Sequence, residues 1–399
     1  MDRAMADEIV SVEQRTEPLW AGIISLALGV FALVTAEFLP ASLLTPMAAD
    51  LGVSIGAAGQ SVTATSIVAG FAGIGVVIGT SKYDRRNVLL ALTALLVVSS
   101  VIASFASTLP ILLASRFLLG IGLGGFWAMS VALAMRLVPG ELMPRAMSII
   151  MGGVSLATVT AAPIGAWVGA TLGWRYAFAI PAVLGVITLI IQAVAIPALP
   201  PTASASFATL AAVLRRPAIR LVLGTILLTV AGHFAGFTYI RPFMETVPHF
   251  GIEAVGGLLL AFGIGGFIGN FVGGWLAERS PRLGLATAAS GIALAMFVTA
   301  FAGATPQIAA AAIVIWGLSF GAFPVNVQAF ITQAAPDEAE SAGALMLTAF
   351  QIAISSGAII GGLLIDHVGS LGVFGFAGLM ALAGTLVVST VARARLREA

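Results

Sequence analysis

The sequence predicts an all-α integral membrane protein of about twelve transmembrane helices, arranged as two six-helix pseudo-symmetric halves. Three observations carry that expectation. Of the 399 residues, 59% are hydrophobic and only 9% are charged, against roughly 25% charged in a soluble domain. The apolar residues form continuous runs of the length that crosses a hydrocarbon core, about 20 residues, and do not alternate as barrel strands would. Positions also recur between the halves. Gly120, Gly124, Pro139, Glu141 and Gly165 return at one constant offset as Gly317, Gly321, Pro336, Glu338 and Gly362, and Gly75 and Gly79 return as Gly269 and Gly273. Two halves related by a parallel repeat place a binding site between them, near the bilayer midplane.

Taken in order, residues 1–18 read as an N-terminal cytoplasmic segment. Asp2, Asp7, Glu8, Glu13 and Glu17 outnumber Arg3 and Arg15 there, the wrong sign for a signal peptide, so the first span is expected to be retained. Apolar runs punctuated by Gly, Pro and charge give a first half over 19–197, with spans near 19–41, 54–80, 88–106, 110–137, 145–172 and 175–197. A cytoplasmic linker over 198–218 follows, in the stretch that reads LPPTASASFATLAAVLRRPAIR. The second half covers 219–392, with spans near 219–244, 252–277, 283–303, 307–334, 339–365 and 371–392, and a tail occupies 393–399.

Charge sets the orientation. With both termini cytoplasmic, the inner connections hold Lys82, Arg85, Arg86, Arg136, Arg145, Arg215, Arg216, Arg220, Arg279, Arg282, Arg393, Arg395 and Arg397. The outer ones hold only Arg175 and, at a helix end, Arg241. That is a positive-inside bias. Asp337, Glu338 and Glu340 make one inner connection acidic, against the trend.

Several function classes drop out. The net charge of +1 says nothing about nucleic acid, and the basic residues are spread over loops and not gathered on one face, so no nucleic-acid partner is expected. The absence of cysteine removes disulfides, thiolate metal sites and Cys nucleophiles. No GxxxxGK[ST] is present, so ATP does not power transport within this chain, and GxGxxG at Gly120, Gly122 and Gly125 lies mid-span without a preceding strand. No metal cluster or nucleophile–base pair falls at a common depth, so an enzyme, a metal and a resident cofactor are not expected.

What remains is a set of polar residues inside spans. Glu37 sits within the apolar run Trp20 to Leu44, where a lone carboxylate is costly and functional by default. Arg116 opens SRFLLGIGLGGFW in the fourth span. Taking about 1.5 Å per residue and a core of roughly 30 Å, Glu37 lies about 25 Å above the inner boundary and Arg116 about 9 Å below the outer one. The two could pair, directly or through polar neighbours, as a titrating couple or as a static ion pair that fixes packing. Phe126, Trp127, His233, Phe234, Tyr239, Asn326, Gln328 and Gln351 could build a pocket that stacks a ring and hydrogen-bonds its edge, or could simply pack. Asp84 and Arg85, with Glu278 and Arg279 in the matching loop, could latch the halves together or stay solvated. Small-xxx-small glycine spacing suits helices that rock or that pack closely.

The residues also carry a family resemblance. GGWLAER at 273–279, RFLLGIGLGG at 116–125, APIGAWVG at 162–169 and GWRYAF at 173–178 resemble the motifs of the major facilitator superfamily, in its drug:proton antiporter branch. AEFLPASLLTPMAADLG at 36–52, GGFWAMS at 124–130, RLVPG at 136–140 and FTYIRP at 237–242 are similar to its purine-nucleoside-exporting members. The resemblance implies alternating access and export of inosine-like and guanosine-like nucleosides. The coupling ion would be the proton, and the setting the bacterial inner membrane. It implies proton coupling at Arg116 and Glu37 and an antiporter motif at Pro163 and Gly165. One departure is GTSKYDRRN after the second span, which keeps Asp84 and Arg85 but lacks a following glycine and part of the basic tail. The expected partners are a small molecule, protons and lipid, with the chain acting as a monomer. Export of other drugs or of sugars by the same mechanism stays open, as does a non-transporting receptor on the same fold.

Overall fold

The computed structural model describes residues 18–200 and 207–395. Among these the chain is helical without strands: α1 (Trp20–Leu51), α2 (Ile55–Gly79), α3 (Arg85–Ser104), α4 (Leu109–Leu137), α5 (Met143–Thr171), α6 (Trp174–Ala195), α7 (Phe207–Leu214), α8 (Pro217–Thr238), α9 (Ile240–Thr246), α10 (Ile252–Arg279), α11 (Pro281–Ala302), α12 (Pro306–Ala334), α13 (Ala339–His367) and α14 (Ser370–Arg395). Eleven of them are long and apolar enough to cross a membrane: α1, α3 to α6, α8 and α10 to α14. The 25 residues of α2 reach about 37 Å at about 1.5 Å per residue, also enough to span. Unbroken helices are what a bilayer demands, because no water is present to satisfy a free backbone group.

Local sequence sets the helix starts. Ser54 accepts the Ala57 N–H at the head of α2, Asp84 accepts the Arg86 N–H at α3, and Ser280 accepts the Leu283 N–H at α11. Proline occupies the first turn of α4, α5, α8, α11 and α12, where its missing N–H costs nothing.

The first six helices pack around α1, which touches α5, α6, α2 and α4, and α3 closes against α4 and α6. In the second set α8 packs on α13 and α14, α11 on α12 and α14, and α10 on α12. The sequence repeat has a structural counterpart. Gly124 lets α4 meet the Ala69 backbone of α2, and its repeat mate Gly321 lets α12 meet the Gly266 backbone of α10. A side chain at either position would force the pair apart.

The two sets meet through α2 on α13, α5 on α10, and α1 on α8 and α9. The end of the bundle carrying the α1–α2 connection is called distal here, and the end where the described chain begins and finishes is called terminal. Among the described residues, the side-chain contacts that join the sets lie between the distal end and the middle of the bundle. Gly263 of α10 is pressed on the Val159 backbone of α5, whereas Gly152 and Gly274, on the same two faces nearer the terminal end, face open space. Ala41, Val62, Ala162 and Ala166 of the first set join the apolar core of the second, all on the distal side.

Three expectations change. The first span does not end near 41 but continues as α1 to Leu51, through Pro40 and Pro46. The seventh breaks at Tyr239 into α8 and α9, and the linker contains the short helix α7. Of the residues invoked above, Asp2, Arg3, Asp7, Glu8, Glu13, Arg15, Glu17 and Arg397 lie outside the described residues.

Candidate functional site

Proline lacks an N–H, so each internal proline leaves the carbonyl four residues earlier without its helical donor. In α1 the prolines at 40 and 46 release the carbonyls of Ala36 and Ser42. Each is taken by a buried arginine. Arg116 of α4 donates Nη1 to the Ala36 oxygen at 3.0 Å. Arg241 of α9 donates Nη1 to the Ser42 oxygen at 2.5 Å. The two guanidiniums supply the donors that let α1 run on as one helix, and they come from opposite sets.

Arg116 is fully buried, with its guanidinium 4.5 Å from the Phe178 ring centroid and no hydrogen-bond partner at Nε or Nη2. It does not pair with Glu37. Successive residues on a helix point about 100° apart, so α4 meets the Ala36 carbonyl while the neighbouring Glu37 side chain points elsewhere. Glu37, 8% exposed, has the Gln351 amide of α13 within hydrogen-bonding reach of its carboxyl, and its Oε1 has no partner. A first-set carboxyl therefore faces a second-set amide.

Distal to Glu37 the sets are clasped by polar groups. Arg241 also donates Nε to Glu245 Oε1 at 2.7 Å, and Glu245 Oε2 accepts from Thr45 Oγ1 at 2.6 Å. Asp366, near the end of α13, accepts from Ser54 Oγ at 2.6 Å and from the Gly56 N–H at 3.0 Å. It thus places a carboxylate at the positive end of α2. Gly165 packs directly on Leu39 and Ser42 of α1. Pro163 frees the Val159 carbonyl of α5, at the point where Gly263 of α10 approaches.

The pocket candidates divide. His233 and Phe234 join an aromatic group. The His233 ring stacks on Phe320 with centroids 3.4 Å apart, and its Nδ1 accepts from Trp316 Nε1 at 2.8 Å. Phe38, next to Glu37, reaches this group through Phe234 at 6.1 Å and Phe237 at 5.9 Å. Gln351 lies at Glu37. The others serve packing. Phe126 is buried in the first-set core against Gly29, with the half-buried Trp127 beside that core. Tyr239 fills the notch made by Gly59 and Gly362 and donates to the Ala358 carbonyl at 2.9 Å. Asn326 ties α12 to the Gly273 carbonyl at 3.2 Å. Gln328 is exposed, with Thr332 as its neighbour.

The terminal-end charges do not meet across the sets. Asp84 accepts from the Leu199 N–H at 2.9 Å and Arg85 donates to Thr80 Oγ1 at 3.3 Å, both within the first set. Arg279 folds over Trp275 at 3.7 Å from its ring centroid, and Glu278 is exposed. The residues that do bridge the sets, Thr45, Ser54, Arg241, Glu245 and Asp366, escaped the sequence reading as gate residues. The signal was available for Arg241 alone. Counting back four from Pro46 names a carbonyl in need of a donor, and Arg241 is one of only two outer cations.

Two sets of spanning helices, joined at one end and parted at the other with ionisable groups buried at the junction, define a membrane transporter rather than an enzyme. The Major Facilitator Superfamily model matches residues 26–358. The chain is 40% identical over 374 residues to a purine ribonucleoside efflux pump, NepI, of Shigella sonnei (strain Ss046), covering 94% of each. It is 40% identical over 376 residues to NepI of Salmonella typhimurium, covering 94% of this chain and 95% of that one. The structure of the nucleoside transporter NupG superposes with a TM-score of 0.75 at 14% identity, over 92% of this chain and 99% of that one. This chain belongs to the Major Facilitator Superfamily.

Proposed function

We propose that the protein exports purine ribonucleosides from the bacterial cytoplasm in exchange for protons. The observation that carries this reading is the Glu37 carboxyl, buried on the most central helix and facing Gln351 of the opposite set. A group so placed feels both its own charge and the position of the other half. The basic residues gathered at the terminal end support a cytoplasmic assignment for that end. On that assignment this arrangement is inward-facing, closed at the periplasmic side by Arg241, Glu245 and Asp366.

The exchange then runs in two strokes. A proton entering from the periplasm neutralises Glu37 and favours the inward-facing form, where it is released. A nucleoside binding from the cytoplasm drives the return. The membrane potential supplies about 2.3 kcal/mol per charge per 100 mV. Arg116, holding the Ala36 carbonyl, keeps a positive charge near Glu37 throughout the cycle. The aromatic group around His233, Phe234 and Phe320 offers a purine stacking surfaces, and Gln351 offers its edge an amide. Asp84, Arg85, Glu278 and Arg279 meet across the sets only in the outward-facing form.

The test is labelled inosine in proteoliposomes with an imposed pH gradient. The wild type is expected to accumulate inosine against its gradient. Glu37→Gln is expected to lose the gradient-driven component while keeping inosine–inosine counterflow. Gradient-driven transport by Glu37→Gln would remove the proton assignment. Failure of the wild type to move any nucleoside, while moving a drug or sugar, would replace the substrate. Binding without flux would favour a receptor.

A further inference from the structure

We infer that Gln351 is the residue through which the second half reads the protonation of Glu37, by forming an acid–amide pair that holds the distal end shut. The inference rests on the reading of Glu37 as the proton site. It adds a residue, a geometry and a direction.

Gln351 is 4% exposed and belongs to α13, the helix of the second set that packs on α2 of the first. Its Cβ lies 3.4 Å from the point where a side chain on Gly70 of α2 would begin, so α13 packs closely against α2 at this residue. From there its amide reaches the Glu37 carboxyl. Two oxygens remain without partners at this contact, Oε1 of Glu37 and Oε1 of Gln351. An ionised carboxylate only accepts hydrogen bonds, and so does an amide oxygen. While Glu37 is charged, the amide can donate N–H to one carboxylate oxygen, but its own oxygen stays buried and unpaired beside a negative charge. That arrangement is costly in a low dielectric.

One proton changes the count. An O–H bond forms on Glu37 with a proton drawn from water, and that O–H donates to Gln351 Oε1 while the Gln351 N–H donates to the other carboxyl oxygen. The pair closes as a ring of two hydrogen bonds with no orphaned atom. Protonation therefore strengthens the contact between α1 and α13 and favours the form in which the distal ends are joined. Releasing the proton toward the terminal end breaks the ring and loosens the halves for the return stroke.

The other ionisable groups around Glu37 do not substitute for this link. Arg116 of α4 is committed to the Ala36 carbonyl, and Arg241 and Glu245 of α9 act on Ser42 and Thr45 nearer the distal end. His233 of α8 is held by Trp316. Asp366 of α13 lies at the head of α2, and Arg175 of α6 pairs with Asp50 of α1 at the distal end. α2 carries no ionisable residue, and α5 carries only Arg145, at its terminal end.

The chain has no cysteine, so Leu172→Cys and Ile252→Cys, both exposed at the distal ends of α5 and α10, can carry spin labels in the full-length protein. Their separation reports distal closure as pH is varied. In the wild type the closed-to-open ratio should rise about tenfold from alkaline to acid pH, and this dependence should vanish in Gln351→Leu. Glu37→Gln, which forms an amide–amide pair, should keep the closed-to-open ratio at the wild type's acid-pH value whatever the pH, still opening often enough for counterflow. The exchanged variant Glu37→Gln with Gln351→Glu rebuilds the acid–amide pair in reverse and should recover the pH dependence. Elution of each purified variant as a single symmetric peak in size-exclusion chromatography serves as the check that it is folded. If Gln351→Leu folds poorly, the exchanged variant decides by itself. An unchanged pH response in Gln351→Leu, or no recovery in the exchanged variant, overturns the inference and leaves Glu37 as the proton site. An unchanged pH response in Glu37→Gln overturns the proton-site reading and this one with it.

Discussion

Arg116 and Arg241 perform the same chemical task at two carbonyls six residues apart on α1, those of Ala36 and Ser42, but only one of them crosses between the halves. The Arg116 bond to Ala36 stays within the first set, so it can persist through a rocking motion. The Arg241 bond to Ser42 must break when the distal ends part. A hydrogen bond from a charged donor contributes about 1.5–3 kcal/mol, and loss of the donor leaves a buried carbonyl unpaired. Arg241→Ala is therefore expected to lower the distal closed-to-open ratio by about 10- to 100-fold, read from the same pair of distal spin labels. Pro46→Ala tests the cause, because it returns a backbone N–H to the Ser42 carbonyl. In that background Arg241→Ala should cost clearly less. Equal costs in the two backgrounds would mean that Arg241 closes the gate through Glu245 alone.

At the scale of elements, α13 holds α2 at both ends of their contact, by Gln351 against Gly70 and by Asp366 at the first turn. Replacing a side-chain cap by alanine costs about 0.5–2 kcal/mol. Asp366→Ala should therefore reduce distal closure by about 2- to 30-fold, visible in the spin-label distances, without abolishing counterflow. Unchanged distances would assign closure to α9 alone. The elements themselves were largely legible in the sequence, because length and apolarity alone determine a spanning helix. The exceptions have physical causes. Pro40 and Pro46 read as a stop, and they fail to stop α1 because the missing donors come from side chains 80 and 199 residues away in sequence. The break at Tyr239 follows its ring into the notch of Gly59 and Gly362, another distant partner. Glu37 was legible as the buried carboxyl. Its neighbour was not: depth along two helices put Arg116 close, but rotation about the axis, which depth does not specify, turned Glu37 toward Gln351. Asp84 and Arg279 looked like a matched pair because exposed charges carry no mark of which conformation joins them.

For the whole molecule the question is where its response to pH originates. Outside the membrane, among the described residues, Asp337 is the carboxylate held furthest from its ordinary range. A double hydrogen bond from Arg216, at 2.7 and 2.5 Å, together with a backbone contact, holds it down at about 2. A carboxyl whose folded value is depressed contributes stability above its unfolded value of 3.8 and loses it as pH falls through about 2. Across the range in which cells live, this pair is fully formed and constant. It neutralises the one acidic connection at the terminal end and ties the segment before α8 to the head of α13, both in the second set. Being exposed, it is screened by salt. Asp337→Asn should therefore leave the midpoint of the transport pH profile where the wild type has it, while Glu37→Gln flattens that profile. Measuring inosine flux against internal and external pH in both variants separates the two sources. A midpoint displaced by Asp337→Asn would move the pH sensor from the buried junction of the halves to their terminal rim.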